Sequence, residues 1–121
     1  MTGYIVFAHG SSVEPANEAV RKVAREAAAR GRWTLFETAF LGGGRPTLKE
    51  AVDRLVSKGA SDITVIPYFL TTGIHLDRDL PELIGQIRAE HRGVNVVTTA
   101  PLDGHPGLLE AVLDRAMGIE K

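Results

Sequence analysis

The sequence predicts an α/β three-layer sandwich, a four-stranded parallel sheet with helices on both faces. Two observations carry that prediction. Short apolar runs alternate with stretches whose apolar residues recur at helical spacing, in the order βαβαβαβα. The 121 residues, 44% apolar and 24% charged, also match the size and balance of one globular domain, taken here as residues 1–121. No repeat, low-complexity tract or linker divides them.

Tyr4-Ile5-Val6-Phe7-Ala8 is a continuous apolar run, as expected of a strand buried on both faces. His9-Gly10-Ser11-Ser12 ends it. From Pro15 to Arg30, Ala16, Val20, Val23, Ala24 and Ala27 form one helical face, with Gly31 as the stop. Trp33–Leu41 is the second strand, rich in aromatic residues and Thr. Gly42-Gly43-Gly44-Arg45-Pro46 reads as a flexible loop. Leu48, Ala51, Val52, Leu55 and Val56 make a second helix, closed by Gly59. Asp62–Leu70 is the third strand, although Pro67 inside it lacks the N–H that a ladder bond needs. Asp79-Leu80-Pro81-Glu82 has the spacing of a capping box and predicts the start of the third helix, with the residues around His75 in the loop before it. Val94–Thr98 is the fourth strand. Gly104-His105-Pro106 opens a fourth helix through Leu108, Leu109, Val112, Leu113 and Ala116.

Composition narrows the chemistry. The net charge of -1 gives no bulk attraction to nucleic acid or to an anionic membrane. The absence of cysteine excludes disulfides, thiolate metal sites and cysteine nucleophiles. No run approaches the roughly 18 apolar residues of a membrane span. Met1-Thr2-Gly3 carries no side-chain charge and Tyr4–Ala8 is short for a signal sequence, so the expectation is a cytoplasmic protein. What remains for chemistry is carboxylates, hydroxyls, arginines and four histidines.

An open parallel sheet binds ligands outside the carboxyl ends of its strands. By that rule His9, His75 and His105 all fall on one edge, after the first, third and fourth strands. His91 falls at the C-terminal end of a helix, where the dipole favours a cation. Imidazole binds divalent metals and titrates near neutral pH, so His9 and His75 are candidates for a shared metal ion and for proton transfer. Against this stands an ordinary loop hydrogen bond for each. Glu37 is the candidate acidic partner, the alternative being an edge strand with one wet face. His105 has a capping role available, as do Asp79 and Asp103; Asp77 is a further oxygen donor. The glycines fit neither G-x-x-x-x-G-K-[ST] nor G-x-G-x-x-G, and His9-Gly10-Ser11-Ser12 is not G-x-S-x-G, so nucleotide and hydrolase signatures are absent.

Phe7-Ala8-His9-Gly10-Ser11, then Val65-Ile66-Pro67-Tyr68-Phe69-Leu70, Gly73-Ile74-His75-Leu76 and Asp79-Leu80-Pro81 resemble, in that order, the short CbiX-type sirohydrochlorin chelatases. Leu102, Gly104, His105 and Pro106 loosely match a late element of the same family. The resemblance spans essentially the whole chain. It implies a chelatase-type, flavodoxin-like fold and insertion of a divalent metal, cobalt first and nickel or iron next, into sirohydrochlorin or a related tetrapyrrole, in cobalamin or sirohaem synthesis. The metal is then a substrate, with no organic cofactor. It implies a homodimer whose two copies enclose a cleft, and His9 and His75 as the metal-binding and catalytic pair. Many relatives carry an acidic residue just after the second strand's A-F-L; here Ala39-Phe40-Leu41 is followed by Gly42, so Glu37 or the histidines alone must serve. Ser11, Ser12, Arg45 and Arg78 are candidates for the carboxylates of the macrocycle. The alternative is a metal- or tetrapyrrole-binding protein without turnover.

Overall fold

The computed structural model describes residues 1–71 and 73–118, apart from the side chains of Ile74 and His75. Eight elements follow one another: β1 (Thr2–Ala8), α1 (Glu14–Gly31), β2 (Leu35–Phe40), α2 (Leu48–Ser57), β3 (Asp62–Pro67), α3 (Gly73–Glu90), β4 (Asn95–Thr98) and α4 (Pro106–Met117). The four strands are all parallel, in the order β2-β1-β3-β4. All four strand ends that precede a helix therefore lie on one edge.

Alternation along the strands separates two faces. Ile5, Phe7, Ile63, Val65 and Val96 point to one face and are essentially buried, under Leu48, Ala51, Val52 and Leu55 of α2 and Leu76, Ile84 and Ile87 of α3. Val6 and Ala8 point to the other, where α1 contributes the buried Ala24 and Ala28. α4 buries none of its residues, so it does not complete the second layer as expected.

The strand and helix ends have local causes. Trp33 stays outside β2 and stacks on Tyr4, ring centroids 4.3 Å apart and 10° from parallel. Gly31 makes room for that stack, since a Cβ there would lie 2.6 Å from the indole nitrogen; the left-handed residue that stops α1 is Arg32 instead. β3 ends at Pro67. The Tyr68 N–H donates to the Phe7 carbonyl of β1 (2.7 Å), so the missing N–H of Pro67 faces β4, whose ladder has already ended at the Val65–Thr98 pair. The proline costs no ladder bond.

The predicted start of α3 needs correction. The helix begins at Gly73, leaving Asp79 and Pro81 inside it. Leu76, Leu80, Leu83, Ile84 and Ile87 keep helical spacing, and Leu76 is 6% exposed against the core. Burying that extra turn outweighs the local stop signal of Pro81. A capping box is present elsewhere: Thr47 Oγ1 accepts from the Glu50 N–H (3.2 Å) and Glu50 Oε1 from the Thr47 N–H (2.9 Å), opening α2.

His91 does more than face a helix dipole. Its Nε2 lies 2.7 Å from Asp53 Oδ1 and ties the end of α3 to α2. That hydrogen bond, with Lys49 adding to it, holds the Asp53 carboxyl below its ordinary value of 3.8. A depressed carboxyl stabilises the fold above its ordinary value, and the contribution disappears as pH falls through the lower, folded value. Asp53 is 45% exposed, so the pair contributes no more than about 1 kcal/mol. Asp53→Asn is expected to lower the urea midpoint at pH 7, and the difference from the parent chain should vanish in titrations well below pH 3.8. A difference that persists in acid would assign the effect to packing.

Candidate functional site

The carboxyl edge of the sheet carries His9 on the first residue after β1. Its side chain is exposed, and its ring meets the buried Phe69 edge-on, centroids 4.5 Å apart. Phe69 in turn packs edge-on against Phe7 at 5.8 Å. The imidazole thus rests on an aromatic pair anchored in the core, and the side chain remains exposed. A cleft of about 340 Å³ opens beside it, lined by His9, Gly10, Ser11, Asn17, Tyr68 and Leu70 among others.

The loop carrying His9 is braced against the triple-glycine loop. β1–β2 pairing continues past the strands, with the Leu41 N–H donating to the Ala8 carbonyl and the Gly42 N–H to the His9 carbonyl, both at 2.9 Å. Asn17, at 1% exposure the one buried polar residue of the described core, closes the joint. Its Oδ1 accepts from the Ser11 N–H (2.9 Å), and its Nδ2 donates to the carbonyls of Ser11 (2.8 Å) and Gly43 (3.2 Å). Only glycine fits at Gly10: φ is 84°, and a Cβ would collide with the Gly42 carbonyl oxygen. At Gly43, φ is 72° and a Cβ would lie 2.8 Å from the Ser11 backbone, a lesser but still forbidden approach. Residues 42–44 are therefore a fitted brace, which corrects their reading as a flexible loop. Asn17 was missed from sequence because it looks like any polar residue in the first turns of an amphipathic helix.

The other predicted residues are distributed as follows. The backbone of His75 lies in the first turn of α3, not in a loop; its side chain lies outside the described residues. Glu37 pairs with Ile5 in register, four residues before His9, about 13 Å down the strand at 3.3 Å per residue. Its carboxylate, 14% exposed, faces Arg54 (3.4 Å) and Lys58 (3.8 Å) of α2 and its end, so the structure does not bring Glu37 to His9. Ser11 Oγ accepts from the Val13 N–H (3.0 Å), and Ser12 is exposed beside it. Arg45 pairs with Glu50, whose carboxyl is held below its usual range first by the Thr47 backbone N–H and then by Arg45. Arg78 lies 3.6 Å from Asp79. His105 caps α4, its Nδ1 accepting from the Gly107 N–H at 2.8 Å. Among the described residues no three His, Asp or Glu side chains cluster as a metal site.

A feature the sequence reading passed over is an apolar rim. Leu41 follows β2, Leu70 follows β3 and Val13 sits in the β1–α1 loop, and they are 49%, 65% and 60% exposed. All three therefore surround the edge that presents His9. A second cavity, about 390 Å³, lies between α3 and β4. It is lined mainly by apolar groups, and its one cation, Arg88, is already donating to the Val96 carbonyl. The His9 cleft instead brings His9, Ser11 and Tyr68 together at the carboxyl edge of the sheet, where ligands bind in an open parallel sheet.

Comparison with known proteins gives a consistent picture. A family model described as CbiX matches residues 3–118. The sirohydrochlorin cobaltochelatase of Saccharolobus solfataricus is 31% identical over 95% of the chain and 93% of that protein. The chloroplastic sirohydrochlorin ferrochelatase of Arabidopsis thaliana is 31% identical over 93% of the chain but only 50% of its own length. The crystal structure of the CbiX protein from Marinobacter aquaeolei VT8 superposes with a TM-score of 0.86, at 31% identity, over 97% of the chain and 95% of the other.

Proposed function

The chain belongs to the CbiX family, and on that premise we propose that it is a chelatase inserting a divalent metal ion into sirohydrochlorin, with cobalt as the first metal and nickel or iron behind it. The observation that carries this reading is the exposed His9 imidazole, core-anchored through Phe69 and ringed by the exposed Leu41, Leu70 and Val13. A flat macrocycle with apolar faces and charged arms needs such a surface, apolar where the ring lies and polar at its margin.

The reaction exchanges two pyrrole protons for one metal ion. One neutral imidazole holds the incoming ion, the other accepts one pyrrole proton, and the second proton passes to solvent. His9 and His75 take these parts in the proposed site. Few protein ligands on the metal suit a reaction that ends with the ion leaving for the ring. Ser11 and Ser12, with Arg45 and Arg78 exchanging their surface carboxylate partners for those of the substrate, receive the acidic arms. The cleft of about 340 Å³ is near the lower end for a drug-sized ligand, and a carboxylated tetrapyrrole needs a second wall. The reading therefore takes residues 1–121 as one chelatase domain of a cytoplasmic homodimer, acting without an organic cofactor and without nucleic-acid or membrane partners. No helix among the described residues is long and apolar enough to cross a membrane.

The test is insertion itself. With sirohydrochlorin and cobalt, nickel or ferrous iron supplied in turn, the shift of the macrocycle's absorption bands is expected to run at least about 100-fold faster with protein than without for the preferred metal, the low end of acid–base assistance alone. Stoichiometric binding of ring or metal at the spontaneous rate would make the protein a carrier and overturn the chelatase reading.

A further inference from the structure

One polar group of the His9 cleft has no part in holding the fold together. Tyr68 follows the last residue of β3, and its N–H continues the ladder onto the Phe7 carbonyl at 2.7 Å. Its neighbours Pro67 and Phe69 are buried while Tyr68 is half-buried, so alternation turns the phenol away from Phe69 and towards α1. It lines the cleft of about 340 Å³ together with Ala16 and Val20 of that helix. The backbone here is held by the ladder bond and by the packing of Phe69 on Phe7, so the phenol stands on a fixed extension of the sheet.

A tyrosine hydroxyl in such a place ordinarily finds a hydrogen-bond partner. That of Tyr68 has none among the described residues. The neighbouring polar groups are wholly or partly engaged. Asn17 is committed to the backbone of Ser11 and Gly43. Ser11 Oγ accepts from the Val13 N–H, which leaves its own hydrogen to donate. No lysine or arginine is among the described residues that line the cleft. Two neutral hydroxyls with hydrogens to give suit a ligand group that only accepts. An ionised carboxylate is such a group, and a hydroxyl donating to it makes a charge-assisted bond without a second charge to desolvate.

We propose that Tyr68 is a substrate-binding residue, whose hydroxyl donates a hydrogen bond to a carboxylate arm of the macrocycle alongside Ser11. This deepens the chelatase reading and rests on it. The arm takes no part in the exchange of protons for metal, so the bond is equally strong before and during insertion. It therefore sets the affinity for the ring and leaves the chemical step alone. It also selects rings that carry an acidic arm at this place.

Tyr68→Phe removes the hydroxyl and keeps the ring, and no hydrogen bond among the described residues goes with it. Its thermal midpoint should match that of the parent chain. Titration with sirohydrochlorin in the absence of metal, followed by absorption, should give a Kd about 10-fold or more above the parent's, as for loss of a hydrogen bond to a charged group. In insertion assays with the preferred metal, KM for the ring should rise as well, while kcat stays within about twofold. With the arms of the ring converted to methyl esters, parent and variant should bind alike. Equal Kd values for the acidic ring overturn the proposal, and so does a loss confined to kcat, which would place the hydroxyl in the chemistry. A loss that the esterified ring shows in full assigns the effect to the face of the ring and overturns it too. In each of these cases a parent chain that inserts metal leaves the chelatase reading standing. A parent that binds the ring without inserting metal overturns that reading alone, because the Kd comparison needs no turnover; a parent that does not bind the ring overturns both.

Discussion

Replacing His9 by alanine is expected to reduce metal insertion by about 10²- to 10⁴-fold, the range for loss of a positioned acid–base group, with the fold intact. The side chain is exposed, and its contact in the core direction is the perpendicular ring of Phe69. The thermal midpoint should therefore move little while the insertion rate collapses. His75→Ala is expected to behave alike, since the reaction needs one imidazole near the ion and one to take a proton. If His9→Ala and His75→Ala both fold and both insert metal at the parent rate, the site assignment fails.

The second large effect is on stability. Gly10→Ala is expected to cost at least about 3 kcal/mol, from a left-handed backbone that disfavours a side chain and a collision that nothing nearby can relieve. The obstacle is the Gly42 carbonyl, backbone of a loop already bonded to His9 and to Asn17 through its neighbour Gly43. Gly59→Ala is the matched control. Gly59 also has a positive φ, 102°, but nothing lies within 4 Å of its would-be Cβ. That substitution should cost only the conformational part, about 1–2 kcal/mol. Denaturant midpoints compare the two directly, and equal losses would mean that the two loops do not meet as described.

Much of the fold was legible because the informative signals were long. All eight elements appear in the expected order, since apolar period is written over whole segments and survives local exceptions. The misplacements arose where a short signal competed with a distant one. Asp79-Leu80-Pro81-Glu82 spells a helix start, yet the burial of Leu76 against the sheet begins α3 at Gly73. Trp33 has strand character but is drawn to Tyr4. At the site, His9 was legible from its place after an apolar strand. Glu37 does not lie beside His9, because position along the strand matters as much as the face: it sits beside Ile5 and answers two cations of α2 and its end. Asn17 and the rim of Leu41, Leu70 and Val13 were illegible. Their importance comes from loops brought together by the β2-β1-β3 order, which no local spacing reports.

The bracing of residues 42–44 bears on how this protein can diversify. Surface connections ordinarily absorb inserted or deleted residues with little consequence. Here one added residue would carry the Gly42 N–H off the His9 carbonyl and the Gly43 carbonyl off Asn17. Gene variants that change the length of this segment should therefore be purged, even though three successive glycines look like the most forgiving stretch of the chain.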